Sequence, residues 1–118
     1  MTRPIVTFDR FDVVRVPFPF TDQAASKNRP ALVLSGSETF NTPSGHALMA
    51  MITSESNAPW PLDCAINNLE EAGLPAPSKV RCKLFTLDLR LVNGRLGKLD
   101  QVDRARVGAV LTSLLADR

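Results

Sequence analysis

The feature that most constrains this chain is the run His46-Ala47-Leu48-Met49-Ala50-Met51-Ile52, in which every residue after His46 is apolar. A strand turns successive side chains to opposite faces, so a run without polar alternation must be covered on both sides. Ala31-Leu32-Val33-Leu34 is a second run of the same kind. The two are expected to be the central strands of one sheet. Between them, Ser35 to Gly45 contains Gly36, Pro43 and Gly45, which fits a connection with a turn or a brief helix. A chain of 118 residues can hold one such core, burying roughly 65 per cent of its unfolded surface. One domain over residues 1–118 is therefore expected.

The remaining segments are short and bounded by Pro, Gly, Ser and Asn. Asp12 to Val16 reads as a strand. Val16-Pro17-Phe18-Pro19-Phe20 is expected to leave the sheet, because each Pro lacks an N–H and restricts the residue before it. Thr21 to Asn28 then forms a polar loop. Beyond the long apolar run, Ser54 to Trp60 reads as a loop, Leu62 to Ile66 as a short strand and Asn67 to Ala72 as one helical turn, ended by Gly73-Leu74-Pro75-Ala76-Pro77. Ser78 to Cys82 and Phe85 to Leu91 read as two further strands. Turn signals about every eight to twelve residues suggest a mainly β fold, a compact barrel. The last segment is the exception. Asp100 can cap a helix, Asp103 adds charge in its first turn, and Val102, Ala105, Val107, Val110, Leu111, Leu114 and Leu115 form an apolar stripe at helical spacing.

Composition removes several classes. Met1 to Asp9 mixes Thr, Arg, Pro and Asp and does not resemble a signal peptide, and no segment approaches the roughly 20 apolar residues of a membrane span. A cytoplasmic protein without membrane contact is expected. Cys64 and Cys82 are too few for a disulfide framework and match no zinc or redox spacing, so two reduced thiols, no metal site and no cofactor are expected. The net charge is only +2, but Lys79, Arg81, Lys83, Arg90, Arg95, Lys98, Arg104 and Arg106 crowd the second half. That excess either attracts a polyanion or lies on a solvated face.

Four constellations can carry chemistry. Lys27-Asn28-Arg29-Pro30 puts a guanidinium at the entrance of a core strand, where its fork of donors suits phosphate oxygens; the alternative is a structural Arg paired with Asp12 or Asp22. Thr53-Ser54-Glu55 ends the long run with two hydroxyls able to hold a phosphate or ribose and a carboxylate able to act as a base, or else is turn chemistry. In Ser78-Lys79-Val80-Arg81-Cys82-Lys83, alternation sets Lys79, Arg81 and Lys83 on one face and Val80 and Cys82 on the other, a basic stripe beside a buried thiol. His46 is the only histidine. It lies about 23 Å from Thr53 along the strand, at ~3.3 Å per residue, and is expected to be structural.

The order of these pieces resembles the MazF/PemK toxins. The resemblance runs through Phe11-Asp12-Val13-Val14-Arg15-Val16-Pro17-Phe18-Pro19-Phe20, Lys27-Asn28-Arg29-Pro30-Ala31-Leu32-Val33-Leu34, Ile52-Thr53-Ser54, Ser78-Lys79-Val80-Arg81-Cys82 and Gly97-Lys98-Leu99, and so spans nearly the whole chain. It implies a small SH3-like barrel of the MazF/PemK/CcdB kind with a C-terminal helix, assembled as a homodimer. It also implies a sequence-specific endoribonuclease that cuts single-stranded RNA without a metal, restrained by a cognate antitoxin whose flexible acidic tail covers the RNA groove. Carried over residue by residue, it makes Arg29, Thr53 and Arg81 the catalytic candidates, with Lys27, Ser54, Glu55, Lys79 and Lys83 as substrate contacts. The chain departs from the pattern after Cys82. Kid-like members place a catalytic Asp there and this chain has Lys83, so the general base is open, with Glu55 and Asp22 as substitutes. A non-cleaving topoisomerase poison of the CcdB kind, or a catalytically dead binding module, is the alternative within the same fold.

Overall fold

The computed structural model describes residues 7–18 and 27–116. Pro19, Phe20 and the expected loop residues Thr21 to Ser26, Asp22 among them, lie outside the described residues. In chain order the elements are β1 (Asp12–Phe18), β2 (Lys27–Val33), a π-helical turn (Ser37–Asn41) running into α1 (Thr42–Ser44), β3 (His46–Ser54), β4 (Cys64–Ala65), α2 (Leu69–Ala72), β5 (Ser78–Asp88), a 3-10 turn (Leu89–Leu91), β6 (Arg95–Lys98) and α3 (Gln101–Leu115). The strands form one antiparallel sheet in the order β4-β5-β3-β2-β1-β6, curled into a half-barrel that carries α3.

The two apolar runs occupy the middle of that sheet, and alternation explains why both needed cover. Leu32, Leu34, Ala50 and Ile52 turn to one face, where Val13, Ile66, Leu74, Val80, Leu99 and Val107 complete a core. Ala31, Val33, Ala47 and Met49 turn to the other, against Phe8, Val14, Val16 and Leu87. Each fully buried Leu or Val side chain contributes about 1.5–3 kcal/mol relative to exposure, so two such faces outweigh any single surface pairing.

Several expectations need correction. β1 does not leave the sheet at Val16; it runs through Pro17 to Phe18, paired with Asn28 and Lys27 of β2. Arg15 spends its N–H and C=O on Gly94 and Asn93 at the β6 side. Pro17, two residues on, faces the same side beyond the end of β6, where no ladder needs its missing donor. Lys27 and Asn28 consequently belong to β2 rather than to a loop. The two strands read from Ser78 to Cys82 and from Phe85 to Leu91 are one strand, β5, because a bulge at Cys82 and Lys83 carries the pairing from Met51–Arg81 to Ala50–Leu84. Only Leu89–Leu91 departs, as the 3-10 turn. Of Leu62 to Ile66, only Cys64 and Ala65 pair. Cys64 is the buried thiol, whereas Cys82 is half-buried.

The final helix forms as capped: Asp100 accepts from Asp103 N at 2.8 Å. The stripe is less buried than its spacing suggested. Val107 is buried, but Val102, Leu114 and Leu115 are exposed. Asp103 is not a surface charge either. It is buried, accepting from the backbone N–H groups of Asn67 and Asn68 at 3.0–3.2 Å and meeting Arg106 at 3.3 Å, and so ties α3 to the entry of α2.

Two glycines set how closely α2 lies on β6. A Cβ on Gly73, which has φ +71°, would stand 2.0 Å from Leu96 O, and one on Gly97 would stand 2.4 Å from Glu71 O. Gly45 has the same φ but open space around it. Gly45→Ala should therefore cost only the left-handed backbone penalty of about 1–2 kcal/mol, while Gly73→Ala should cost clearly more, because backbone must also move. Urea denaturation of the two variants checks the order; equal losses would contradict the close packing.

Candidate functional site

The site lies where the central ladder opens. Leu34 N donates to Leu48 O, so even-numbered residues of β2 face β3 with their backbone groups, and Pro30 comes round on that side without an N–H. The β2–β3 pairing ends at Ala31–Met51, while β2 stays with β1 as far as Lys27. β3 continues to Ser54 alongside β5. The gap is a cleft of about 480 Å³ bordered by Phe18, Arg29, Pro30, Thr53, Ser54 and Asn57, with Leu74 to Ser78 as its far wall.

Alternation puts the polar groups on one face. Arg29 shares the face of Ala31 and Val33, Thr53 that of Met49 and Met51, and cross-strand pairing sets Lys79 beside Thr53 and Arg81 beside Met51. Extending the β2–β3 register by one face repeat would place Arg29 opposite Thr53, and both border the cleft. Arg29 is exposed and has no ion-pair partner among the described residues. The alternative pairing with Asp12 does not occur, since Asp12 is occupied by Arg95 at 2.9 Å and by Asp9 N–H at 2.8 Å. Thr53 Oγ1 accepts from Asn57 Nδ2, which leaves its own O–H free to donate. Ser54 and Ser56 exchange a hydroxyl contact at 2.9 Å.

Lys79 and Arg81 do not form an open basic stripe. Both are held by Asp63: Arg81 Nε and Nη2 donate to its two oxygens at 3.2 and 3.0 Å, and Lys79 Nζ approaches at 3.2 Å. The three side chains are 8–13 per cent exposed, so the pairing is largely desolvated. The Arg81 hydrogen bonds, the Trp60 N–H and Lys79 hold the Asp63 carboxyl down to about 2. The same partner pushes Arg81 up from its ordinary value. Lys83 lies outside the ion pairs, its Nζ 4.6 Å from the centroid of the exposed Trp60 ring.

Arg29, Thr53 and Ser54 thus all border the cleft, Ser54 from the opposite face of β3 to Thr53, while Lys79 and Arg81 lie on the neighbouring strand β5. Lys27 is exposed where β2 begins, paired with Phe18, and Glu55 is exposed just past β3, its N–H bonded to Pro77 O. His46 stands at the opposite end of β3, paired in register with Asp88, its ring bonded to Ser44 O at 3.0 Å. Among the described residues no group of three His, Cys, Asp or Glu side chains is placed to hold a metal ion. Two residues that hold the site's side chains escaped sequence reasoning, Asn57 and Asp63. Asp63 had one available signal: it is the sole carboxylate between Glu55 and Glu70, ahead of an alternating run of three cations.

Comparison with known proteins adds the following. A family model described as PemK-like, MazF-like toxin of type II toxin-antitoxin system matches residues 9–115. A search of curated protein sequences finds no match. Among solved structures, MazF from Deinococcus radiodurans is 26% identical, with a TM-score of 0.70 over 94% of this chain and 98% of that one. The MazE-MazF complex (Form-III) of the same organism gives 25% identity and a TM-score of 0.73 over 93% and 97%. An endoribonuclease in complex with its cognate antitoxin, from a Mycobacterial species, is 16% identical with a TM-score of 0.71 over 94% and 95%, a likeness of fold.

The Asp63 pairings carry a pH dependence. A carboxyl whose folded pKa lies below its unfolded value stabilises the fold above the unfolded value and loses that contribution as the pH falls through the folded one. For Asp63 the window runs from 3.8 down to about 2. Half-buried Asp88, also held near 2 by Arg90, contributes equally to wild type and variant. Asp63→Asn should be less stable than wild type at pH 7, and the difference should shrink as the pH drops from about 4 to 2. Thermal melts across that range test this, and a gap that stays constant would contradict it.

Proposed function

This chain belongs to the PemK-like, MazF-like toxins of type II toxin-antitoxin systems, and from that membership and the cleft between Arg29 and Thr53 we propose that it is an endoribonuclease cutting single-stranded RNA at specific sequences. The observation that carries the reading is a guanidinium with no ion-pair partner among the described residues bordering the same gap as two strand-end hydroxyls, at the point where Pro30 brings no N–H to the ladder. The relatives described as MazF and as an endoribonuclease support it.

In such a cut the ribose 2′-oxygen attacks the adjacent phosphorus, the bond to the 5′-oxygen breaks, and the products are a cyclic phosphate and a 5′-hydroxyl end. The substrate brings its own nucleophile, so the protein has to orient the phosphate, meet the charge on its oxygens and manage two protons. Arg29 is assigned to the phosphoryl oxygens, as a permanent cation with forked donors. The free O–H of Thr53 and the hydroxyl of Ser54 are assigned to orienting the scissile phosphate. Arg81 is assigned to a neighbouring phosphate, with Lys79, Lys83, Lys27 and Glu55 as flanking contacts. A carboxyl held near 2, as Asp63 is, is too weak a base at neutral pH to take the 2′ proton.

The rest of the reading follows the family. A single toxin domain over residues 1–118 would act in the cytoplasm, and no helix of the described residues is long and apolar enough to cross a membrane. A homodimer is supported by an apolar groove in which exposed Leu84 and Leu115 flank half-buried Phe11 and Leu111, and which a second copy would cover. A cognate antitoxin with a flexible acidic tail is supported by the MazE-MazF complexes among the similar structures and by the charge of Arg29, which has no ion-pair partner among the described residues. A tail in the cleft would compete with RNA and share its salt dependence.

Incubation of the purified protein with a long single-stranded RNA in EDTA should yield cuts at one short sequence with 5′-hydroxyl ends. RNA left intact by the folded protein would overturn the reading in favour of a non-cleaving poison or binding module. Arg29→Ala should slow cleavage by a factor on the order of 100 or more, as loss of one charge-stabilising donor does elsewhere, with an unchanged urea midpoint because the side chain is exposed. A folded variant that cuts at the wild-type rate would remove Arg29 from the mechanism.

A further inference from the structure

One carboxylate links the residues behind the cleft. Asp63 receives Arg81 Nε and Nη2, Lys79 Nζ and the Trp60 N–H. Arg81 Nη2 also donates to Ala58 O at 2.7 Å, so Nη1 is the guanidinium nitrogen without a hydrogen-bond partner among the described residues, and the group lies 5.8 Å from the Trp60 ring centroid. Lys79 Nζ donates onward to Asn57 O at 2.7 Å, and the Asn57 side chain donates to Thr53 Oγ1. The segment from Asn57 to Asp63 is thereby stapled to β5 at both ends and, through Asn57, to the end of β3 at Thr53.

We infer that Asp63 is a positioning residue for RNA cleavage, clamping Arg81 through a two-pronged contact and setting the Thr53 hydroxyl through Lys79 and Asn57. The inference rests on the ribonuclease reading above. It accounts for two features together. A bidentate partner fixes the plane of the Arg81 guanidinium, so its Nη1 points in one direction instead of sampling many. An acceptor role toward Asn57 fixes the Thr53 oxygen and commits its proton to an outside acceptor such as a phosphoryl oxygen. The price is that one negative charge sits among the cations a polyanion would seek, which a surface built only for affinity would lack. Positioning and affinity should therefore separate on mutation.

The test compares wild type, Asp63→Asn and Asn57→Ala, reading kcat on a short cleavable RNA and the affinity for the same RNA carrying a 2′-deoxy group at the cut. Asp63→Asn removes the charge at nearly constant shape. Its affinity should hold or rise, with a steeper salt dependence, while kcat falls at least about 10-fold. Asn57 is exposed, so Asn57→Ala leaves the core untouched and should lower kcat at unchanged affinity even if Asp63→Asn folds poorly. Wild-type kcat in either folded variant overturns the inference and leaves the ribonuclease reading standing. Affinity and kcat falling together in Asn57→Ala overturn it too, in favour of a purely structural loop. Wild type that leaves RNA intact overturns the ribonuclease reading and the inference with it.

Discussion

At Pro30 the two central strands lose their hydrogen-bonded contact, because the residue whose N–H should cross from β2 to β3 has none. Inside that point, Ala31 to Leu34 and Leu48 to Met51 are held by the ladder and by side chains on both faces. Outside it, β2 follows β1 and β3 follows β5, so the sheet divides into two ribbons at one end. Arg29 and Thr53 sit on opposite banks of the division. Buried backbone that fails to pair is costly, so such an opening persists only at a rim where water or a ligand can meet the freed groups.

Charge is distributed around that opening unevenly. Asp63 absorbs Lys79 and Arg81 in a largely desolvated group, where Coulomb attraction must offset the cost of stripping water from three charges. Arg29 stays in water with its donors uncommitted among the described residues. The basic half of the sequence is thus not one electropositive surface. Asp103 binds Arg106, Asp12 binds Arg95 and Asp88 binds Arg90, whereas Lys83 lies against Trp60, and on β2 Lys27 and Arg29 are exposed without an ion-pair partner among the described residues.

Much of the fold was legible for one reason: two-sided apolar runs admit few placements. His46 to Ile52 and Ala31 to Leu34 had to be central, and Asp100 before a helical stripe had to be a cap. Rules about proline misled where position in the sheet decided the outcome. Pro17 is harmless on the side of β1 that β6 does not reach, and nothing in Val16-Pro17-Phe18 reveals which neighbour ends where. The join across Cys82 and Lys83 was hidden likewise, since a bulge is a property of two strands and its sequence belongs to only one. The helix stripe overstated burial because periodicity shows that a face is apolar and not how far the sheet beneath it extends.

For the candidate site, the chain by itself determined the residue types and their order: an Arg before a Pro at a core strand, two hydroxyls closing another, and an Arg-Cys step further on. These are local facts, set by which strand each residue begins or ends. Tertiary structure decided which of them meet and in what electrical state. Antiparallel pairing brings the start of β2, the end of β3 and the start of β5 to one rim, and it delivers Asp63 from a separate loop to two cations of β5. No spacing along the chain encodes that last meeting, because Asp63 and Arg81 are joined through the close packing of β4 on β5 and not through their separation in sequence.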